Sequence, residues 1–205
     1  MRKNGFFAMM TRMRNITRWG LMRNNITENL TEHSYDTAVT AHALAVIGKE
    51  KFGKDIDPGQ IAAVALFHDA SEIITGDLPT PIKYYNPDIK EAYKQVERIA
   101  GNRLLDMLPD YMQSYYQEIF TVSQEDAYLW KLVKAADKLS AYIKCIEEAT
   151  TGNSEFLSAQ QSTRISLEKM ELKEVTIFME EFLSSFGMTL DELTATAAAR
   201  KNTME

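Results

Sequence analysis

One cysteine, Cys145, occurs in 205 residues. An intrachain disulfide is therefore excluded, and a reducing cytoplasm is the expected compartment. Cys145 lies beside Ile143 and Ile146 in a helical pattern, so it reads as a small core residue rather than a nucleophile. Proline (5) and glycine (9) are scarce, while Ala, Leu, Glu, Lys and Met are plentiful. That balance favours helix over sheet. Convincing period-two strands are missing, and no apolar run is long enough to span a bilayer. A broad basic face is missing too, because the formal net charge is −6. A nucleic-acid polymer is thus not an expected partner. A small phosphorylated molecule is still compatible, since one local Arg can serve it.

Apolar residues make up 45% and charged residues 25% of the chain, enough to bury a real core. No repeat, low-complexity tract or Pro/Gly/Ser linker divides the chain, so a single domain over 1–205 is expected. The first 27 residues hold Arg2, Lys3, Arg12, Arg14, Arg18 and Arg23 and no acid. A transit peptide can look like that. However, serine is sparse, and Phe6, Phe7 and Trp19 suit packing, so this segment is assigned to the folded domain.

The expected fold is all-α, with about eight to ten helices. A short helix is expected over Phe6 to Met13, then a loop from Asn15 to Asn29. From Glu32 to Lys51, Tyr35, Val39, His42 and Val46 recur at helical spacing, with Gly53 as a stop. Asp57-Pro58-Gly59-Gln60 reads as a helix start, a capping-box pattern with proline at the first position. That helix is expected to run on through Ile61 to Thr75, with Gly76 ending it. Asp77 to Pro81 reads as a stiff connector, because two prolines fix φ. Asn86-Pro87 opens a helix to about Leu108, and Tyr111 to Phe120 a short one. Ser123 to Asp126 looks like the cap of a long helix reaching Thr150, before Gly152. Asn153 caps the next element, and Thr189 with Glu192 forms a further capping box.

The chain has only three histidines: His33, His42 and His68. His68-Asp69, followed by Glu72, interrupts a run that is apolar from Ala62 to Phe67. Charges placed in such a run need partners, because burying an unpaired carboxylate is costly. On an ideal helix His68, Asp69 and Glu72 project to one side. His68 and Asp69 can then share one ion, with Glu72 close to its water. Asp137 is a second anomaly, a poor mid-helix residue in Leu132-Val133-Lys134-Ala135-Ala136. Alone, it fits equally a solvated carboxylate paired with Lys134 or Lys138. His33 alone fits a surface residue at a helix start. His42, nine residues on, turns about 900° to the opposite face. It reads as a satisfied core residue or a support for the ligands.

Taken in order, these residues resemble the HD-domain phosphohydrolases: a histidine, a His-Asp pair about 35 residues later, and a helical aspartate well downstream. Arg18-Trp19, Thr31-Glu32-His33-Ser34, His68-Asp69-Ala70-Ser71-Glu72 and Thr75-Gly76-Asp77-Leu78-Pro79-Thr80-Pro81 are similar more closely to the bacterial 5′-deoxynucleotidases. The resemblance covers nearly the whole chain and is less diagnostic in the C-terminal third. It implies hydrolysis of deoxyribonucleoside 5′-monophosphates in a single helical HD domain, and a homodimer. It places His33, His68, Asp69 and Asp137 on one divalent cation. His33, Asp69 and Asp137 would also face the substrate. Arg18 would orient the phosphate, Trp19 would help select the sugar, and Asp77, Leu78, Pro79 and Thr80 would contact the substrate. Glu72 suits proton relay.

Mixed nitrogen and oxygen ligands admit Mn, Fe, Co, Ni or Zn. Another HD nucleotide phosphohydrolase or phosphodiesterase is the nearest alternative. Two-metal members of the superfamily use extra histidines, and only His42 is left, on the wrong face. A non-catalytic nucleotide sensor is the other, and a full ligand set with Glu72 speaks against it.

Overall fold

The computed structural model describes residues 4–83, 85–120 and 127–195. Ten α-helices run between Phe6 and Phe182, with a further helical turn at 190–195 and no strand among the described residues. The central layer is α2 (Leu30–Phe52), α3 (Pro58–Phe67) and α8 (Ala127–Thr150). α9 (Leu157–Glu168) packs on α8, and α10 (Lys173–Phe182) on α2.

α2 begins at Leu30, slightly before the expected start. Asn29 accepts from the Thr31 and Glu32 amides at 2.9 and 3.1 Å, and Glu32 accepts from the Asn29 amide in return. That reciprocal box satisfies amides the helix cannot satisfy itself. Gly53, at φ 61°, ends α2 in the left-handed region that favours glycine. The buried face of α2 is Leu30, His33, Ser34, Thr37, Thr40, Ala41, Leu44 and Ala45. Its many small residues let α3 and α8 approach closely.

The stripe of Tyr35, Val39, His42 and Val46 has the expected period but the other orientation. Tyr35 is 63% and Val39 53% exposed, and His42 is exposed as well. His42 therefore does point away from His33, but it is not a core residue. α2 carries two faces able to pack, and the small-residue face took the core.

The largest correction concerns α3. Asp57 caps it through the Gly59 amide at 2.8 Å, with Pro58 at the first position. The helix then stops at Phe67 instead of running to Thr75. The Ala65 carbonyl takes the His68 ring nitrogen Nδ1 at 2.7 Å, besides the His68 amide. Beyond it, Ala70, Glu72 and Ile73 bond three residues back, to Phe67, Asp69 and Ala70. A tight turn over 68–71 thus separates α3 from α4 (Glu72–Thr75).

The connector also differs. Residues 76–79 have no regular structure, but Thr80–Lys83 form a short helix, α5, with Pro81 in its first turn, where proline is tolerated. Tyr93 of α6 (Pro87–Leu105) donates to the Gly76 carbonyl at 3.0 Å and anchors the connector. Asn86 caps α6, which ends three residues before Leu108. α7 is Asp110–Phe120. The expected cap at Ser123 to Asp126 lies outside the described residues. Asn153 caps the segment entering α9, and Thr189 and Glu192 bond reciprocally, as expected.

Two hydrophobic cores result among the described residues. The larger joins α2, α3, α8 and α10. The smaller gathers Phe6 of α1 (Phe6–Met10), Ala70, Leu104 and Leu108, with Phe67, Tyr116 and Phe120 against it. The turn carrying His68 and Asp69 lies where the two cores meet. Cys145 is fully buried, as expected of a core residue.

Candidate metal centre

Three separate helical segments deliver the predicted ligands to one place. His33 comes from the first turn of α2, His68 and Asp69 from the 68–71 turn, and Asp137 from the middle of α8. The donor atoms of His33, His68 and Asp69 lie within 4.8 Å of one another. Asp137 Oδ1 is 3.1 Å from His33 Nε2 and 4.0 Å from His68 Nε2. Asp69 Oδ2 is 3.5 and 3.1 Å from the same nitrogens. Asp137 thus turns toward the imidazoles.

The donors fit a divalent cation. His68 Nε2 is buried and has no hydrogen-bond partner, although two carboxylates lie close by. Such an orphan is costly unless something else fills its lone pair. Its other nitrogen is fixed by the Ala65 carbonyl, which leaves Nε2 as the free donor. His33 is fully buried, with Nδ1 3.2 Å from Ser140 Oγ and Nε2 turned to the carboxylates. Two imidazoles and two carboxylates leave positions open for water and a phosphate oxygen.

Without a metal, the carboxylates draw positive charge to the imidazole, so a cation that binds there takes the place of a proton. Burial alone would lower the His68 pKa, but Asp69, Asp137 and the Ala65 carbonyl push it up to about 9. Burial opposes the charge on Asp69, yet His68, His33 and Arg18 hold it far below the usual carboxylate range. Glu72 goes the other way. Burial, with the Asp69 charge, raises it to about 8, against the pull of Lys83. Its Oε2 is buried without a hydrogen-bond partner, and Lys83 Nζ is 3.6 Å from Oε1. Lys83 is itself held by Glu97 at 2.9 Å.

Arg18 and Trp19 reach the site from the loop before α2. The neck of that loop is closed by a bridge between Thr17 and Asn29 and by the Arg18 amide on the Glu28 carbonyl at 3.0 Å. Arg18 is largely buried, with a guanidinium nitrogen 3.6 Å from Asp69 and Nε 3.5 Å from Glu28. Trp19 adopts φ 57° and donates its indole N–H to Glu28 at 2.7 Å. Asp77, Leu78 and Pro79 are half-buried. Burial raises the Asp77 pKa, against the Arg18 charge. The expected contact through Thr80 lies outside what the structure describes.

Sequence reasoning missed Glu28, Lys83, Tyr93 and Ser140. Glu28 did leave a signal, as the first acid after six cations. The other three left none, because their roles depend on which helices meet.

Comparison with known proteins fits this geometry. Residues 5–186 match the family of YfbR-like 5′-deoxynucleotidases. A 5′-deoxynucleotidase of Erwinia tasmaniensis is 46% identical over 188 residues, covering 92% of this chain and 95% of the relative. An HD-domain phosphohydrolase from Listeria innocua superposes with a TM-score of 0.76 at 22% identity, covering 95% and 97% of the two chains. The HD phosphohydrolase of cyanophage S-2L, solved with dA and one catalytic zinc ion, gives 0.61 at 19% identity, covering 87% and 96%. The two solved structures share the helical HD fold, and the sequence match assigns the chain to the YfbR-like 5′-deoxynucleotidase family.

Proposed function

We propose that the protein hydrolyses deoxyribonucleoside 5′-monophosphates to deoxynucleoside and phosphate, using one divalent transition-metal cation on His33, His68, Asp69 and Asp137. The observation that carries this is the buried, unpartnered His68 Nε2 facing two carboxylates and a second imidazole. When bound, the cation supplies positive charge at the phosphoryl group and makes the attacking water more acidic.

The chain's own residues supply the rest. The Arg18 guanidinium, held beside Asp69, offers fork geometry to phosphate oxygens. Glu72 holds a proton near neutral pH and is placed to relay it. Trp19 already donates its one N–H to Glu28. Its ring therefore offers no polar partner to a ribose 2′-hydroxyl. Burying an unpaired hydroxyl costs roughly 1–3 kcal/mol, or about ten- to a hundredfold in favour of deoxyribose. The Asp77 to Thr80 connector lies on the substrate side in this reading.

The substrate is a mononucleotide rather than a polymer, in keeping with the net charge of −6. We read residues 1–205 as one cytoplasmic domain. No helix among the described residues is long and apolar enough to cross a membrane. A second copy of the chain covers the exposed stripe of α2. Tyr35, Val39 and His42 form a shallow apolar groove there with Leu66, and a two-fold pair buries the same patch on both copies.

Phosphate release from matched deoxyribo- and ribonucleoside 5′-monophosphates, with each candidate metal, tests the activity. The deoxynucleotide should be the better substrate by about tenfold or more. His68→Ala should lose both bound metal and turnover. Equal rates on the two sugars, or a His68→Ala protein with full metal and full activity, would sink the reading.

A further inference from the structure

Glu28 is buried, precedes the cap of α2, and is reached by three parts of the site. Its Oε2 accepts from the Trp19 indole at 2.7 Å. Its Oε1 is 3.5 Å from Arg18 Nε and 3.5 Å from His33 Nδ1. Its backbone carbonyl takes the Arg18 amide at 3.0 Å. We infer that Glu28 is a positioning residue that joins the sugar-and-phosphate loop to the metal centre. This rests on the roles given above to Arg18, Trp19 and His33.

The chemistry of the three contacts calls for a carboxylate. The indole and the guanidinium only donate. His33 also donates from Nδ1 once Nε2 faces a metal, because the neutral ring carries one proton. One hydrogen bond from the indole and two further nitrogens at 3.5 Å suit a group with acceptors alone, and among side chains an ionised carboxylate provides that. Glutamine has nearly the same shape, but its NH₂ would face at least one donor. The isosteric change therefore removes the function while filling the same space.

The backbone explains why a tie is needed. Trp19 sits at positive φ, which a bulky residue adopts only when its surroundings hold it there. Residues 18 to 28 form a loop closed at its neck, with little regular structure to fix side chains. Glu28 stands at that neck, one residue from the Asn29 cap, and His33 follows in the first turn. One side chain thus ties the loop that presents Arg18 and Trp19 to the His33 ring, whose Nδ1 it shares with Ser140. Outer carboxylates that orient a metal-binding histidine are worth about 10–100-fold in metal affinity or activity.

The test compares four full-length proteins: the parent, Glu28→Gln, Trp19→Phe and the double variant. Cobalt(II) is titrated into each metal-free protein and followed by the visible absorption of the bound ion. kcat and KM are then measured for one deoxyribo- and one ribonucleoside 5′-monophosphate with the same base. Glu28→Gln should melt as a folded protein, yet bind cobalt about 10–100-fold more weakly, with an altered spectrum. Its deoxy/ribo ratio should fall about tenfold, with KM raised. Trp19→Phe should lower the sugar ratio and leave the cobalt titration at the parental value. The double variant should lower the ratio no further than Glu28→Gln alone. If Glu28→Gln keeps both the parental cobalt affinity and the parental ratio, Glu28 merely fills space and the inference is overturned. Should that variant fail to fold, Glu28→Asp keeps the charge one methylene short and is judged by the same two readings. A parent that binds no cobalt or shows no sugar preference would defeat the functional reading itself, which separates the two failures.

Discussion

Glu72 shows how position alone sets a side chain's chemistry. It lies three residues after Asp69, and its Oε2 is buried with no hydrogen-bond partner. In the unfolded chain its carboxyl ionises in the ordinary range, whereas in the metal-free fold it does so at about 8, through burial and the Asp69 charge. A raised carboxyl pKa favours the fold at low pH. That stability is fully present below the ordinary range and is lost as pH rises through about 8. Glu72→Gln cannot ionise and escapes the loss. The melting temperature of metal-free Glu72→Gln, minus that of the metal-free parent, should therefore grow from pH 5 to pH 9. Each kcal/mol of difference should appear as about 2–4 °C in a chain of this size. The same variant should bind metal normally and turn over about 10²–10⁴ times more slowly. A melting difference that stays flat with pH would show that Glu72 ionises normally. Unchanged turnover would remove it from the chemistry.

At the scale of the element, α8 does more than supply Asp137. Glu148, fully buried near its end, accepts from the Asn25 and Ile26 amides at 2.9 and 3.0 Å and from Asn153 at 2.7 Å. Lys144, one turn earlier, pairs with Glu148 and donates to the Ile26 carbonyl. The far side of the Arg18–Glu28 loop is clamped to α8 by this pair. Glu148→Ala would strand a buried ammonium as well as two amides. Urea unfolding should show a loss of about 3–5 kcal/mol. The double change Lys144→Met with Glu148→Leu should lose less than Glu148→Ala alone, because no charge is left unpaired. A double variant no more stable than the single one would argue against the buried charge as the cause. The candidate ligand set was legible in the sequence only in part. His68 and Asp69 follow directly on an apolar helical run, where polar groups need partners, whereas Asp137, between Lys134 and Lys138, and His33, at a helix start, stood out only as members of the ordered set. The break after Phe67 was not legible. It depends on the His68 ring taking the Ala65 carbonyl, a competition between side chain and backbone that a 3.6-residue period does not register. The Tyr35–Val39–Val46 stripe was legible as a helix but not as an outer face, because the small residues of α2 form a second stripe able to pack.

On the scale of the whole molecule, the proposed metal centre and the proposed contact between copies fall on opposite sides of one helix. α2 buries His33 inward and presents Tyr35, Val39 and Val46 outward. Val39→Asp should therefore separate the two. Sedimentation should find the parent as a pair of 23.3 kDa chains and the variant as single chains. Metal binding should persist in the variant. A monomeric parent, or a pair that survives Val39→Asp, would place the contact elsewhere or remove it. The two cores bring one more consequence. Ala70 belongs to the smaller core around Phe6, whereas His33 and Asp137 stand on helices of the larger one. Parts of a protein can open separately, each with its own free energy. An excursion that loosens only the Phe6 cluster would carry the 68–71 turn away from its partners while most of the chain stays folded. The fraction of molecules ready to bind at any moment then follows the local stability of that small aromatic cluster. The apparent dissociation constant rises in inverse proportion to that fraction. A change at Phe6 or Tyr116 could thus weaken binding at a site neither residue touches, without altering a single ligand.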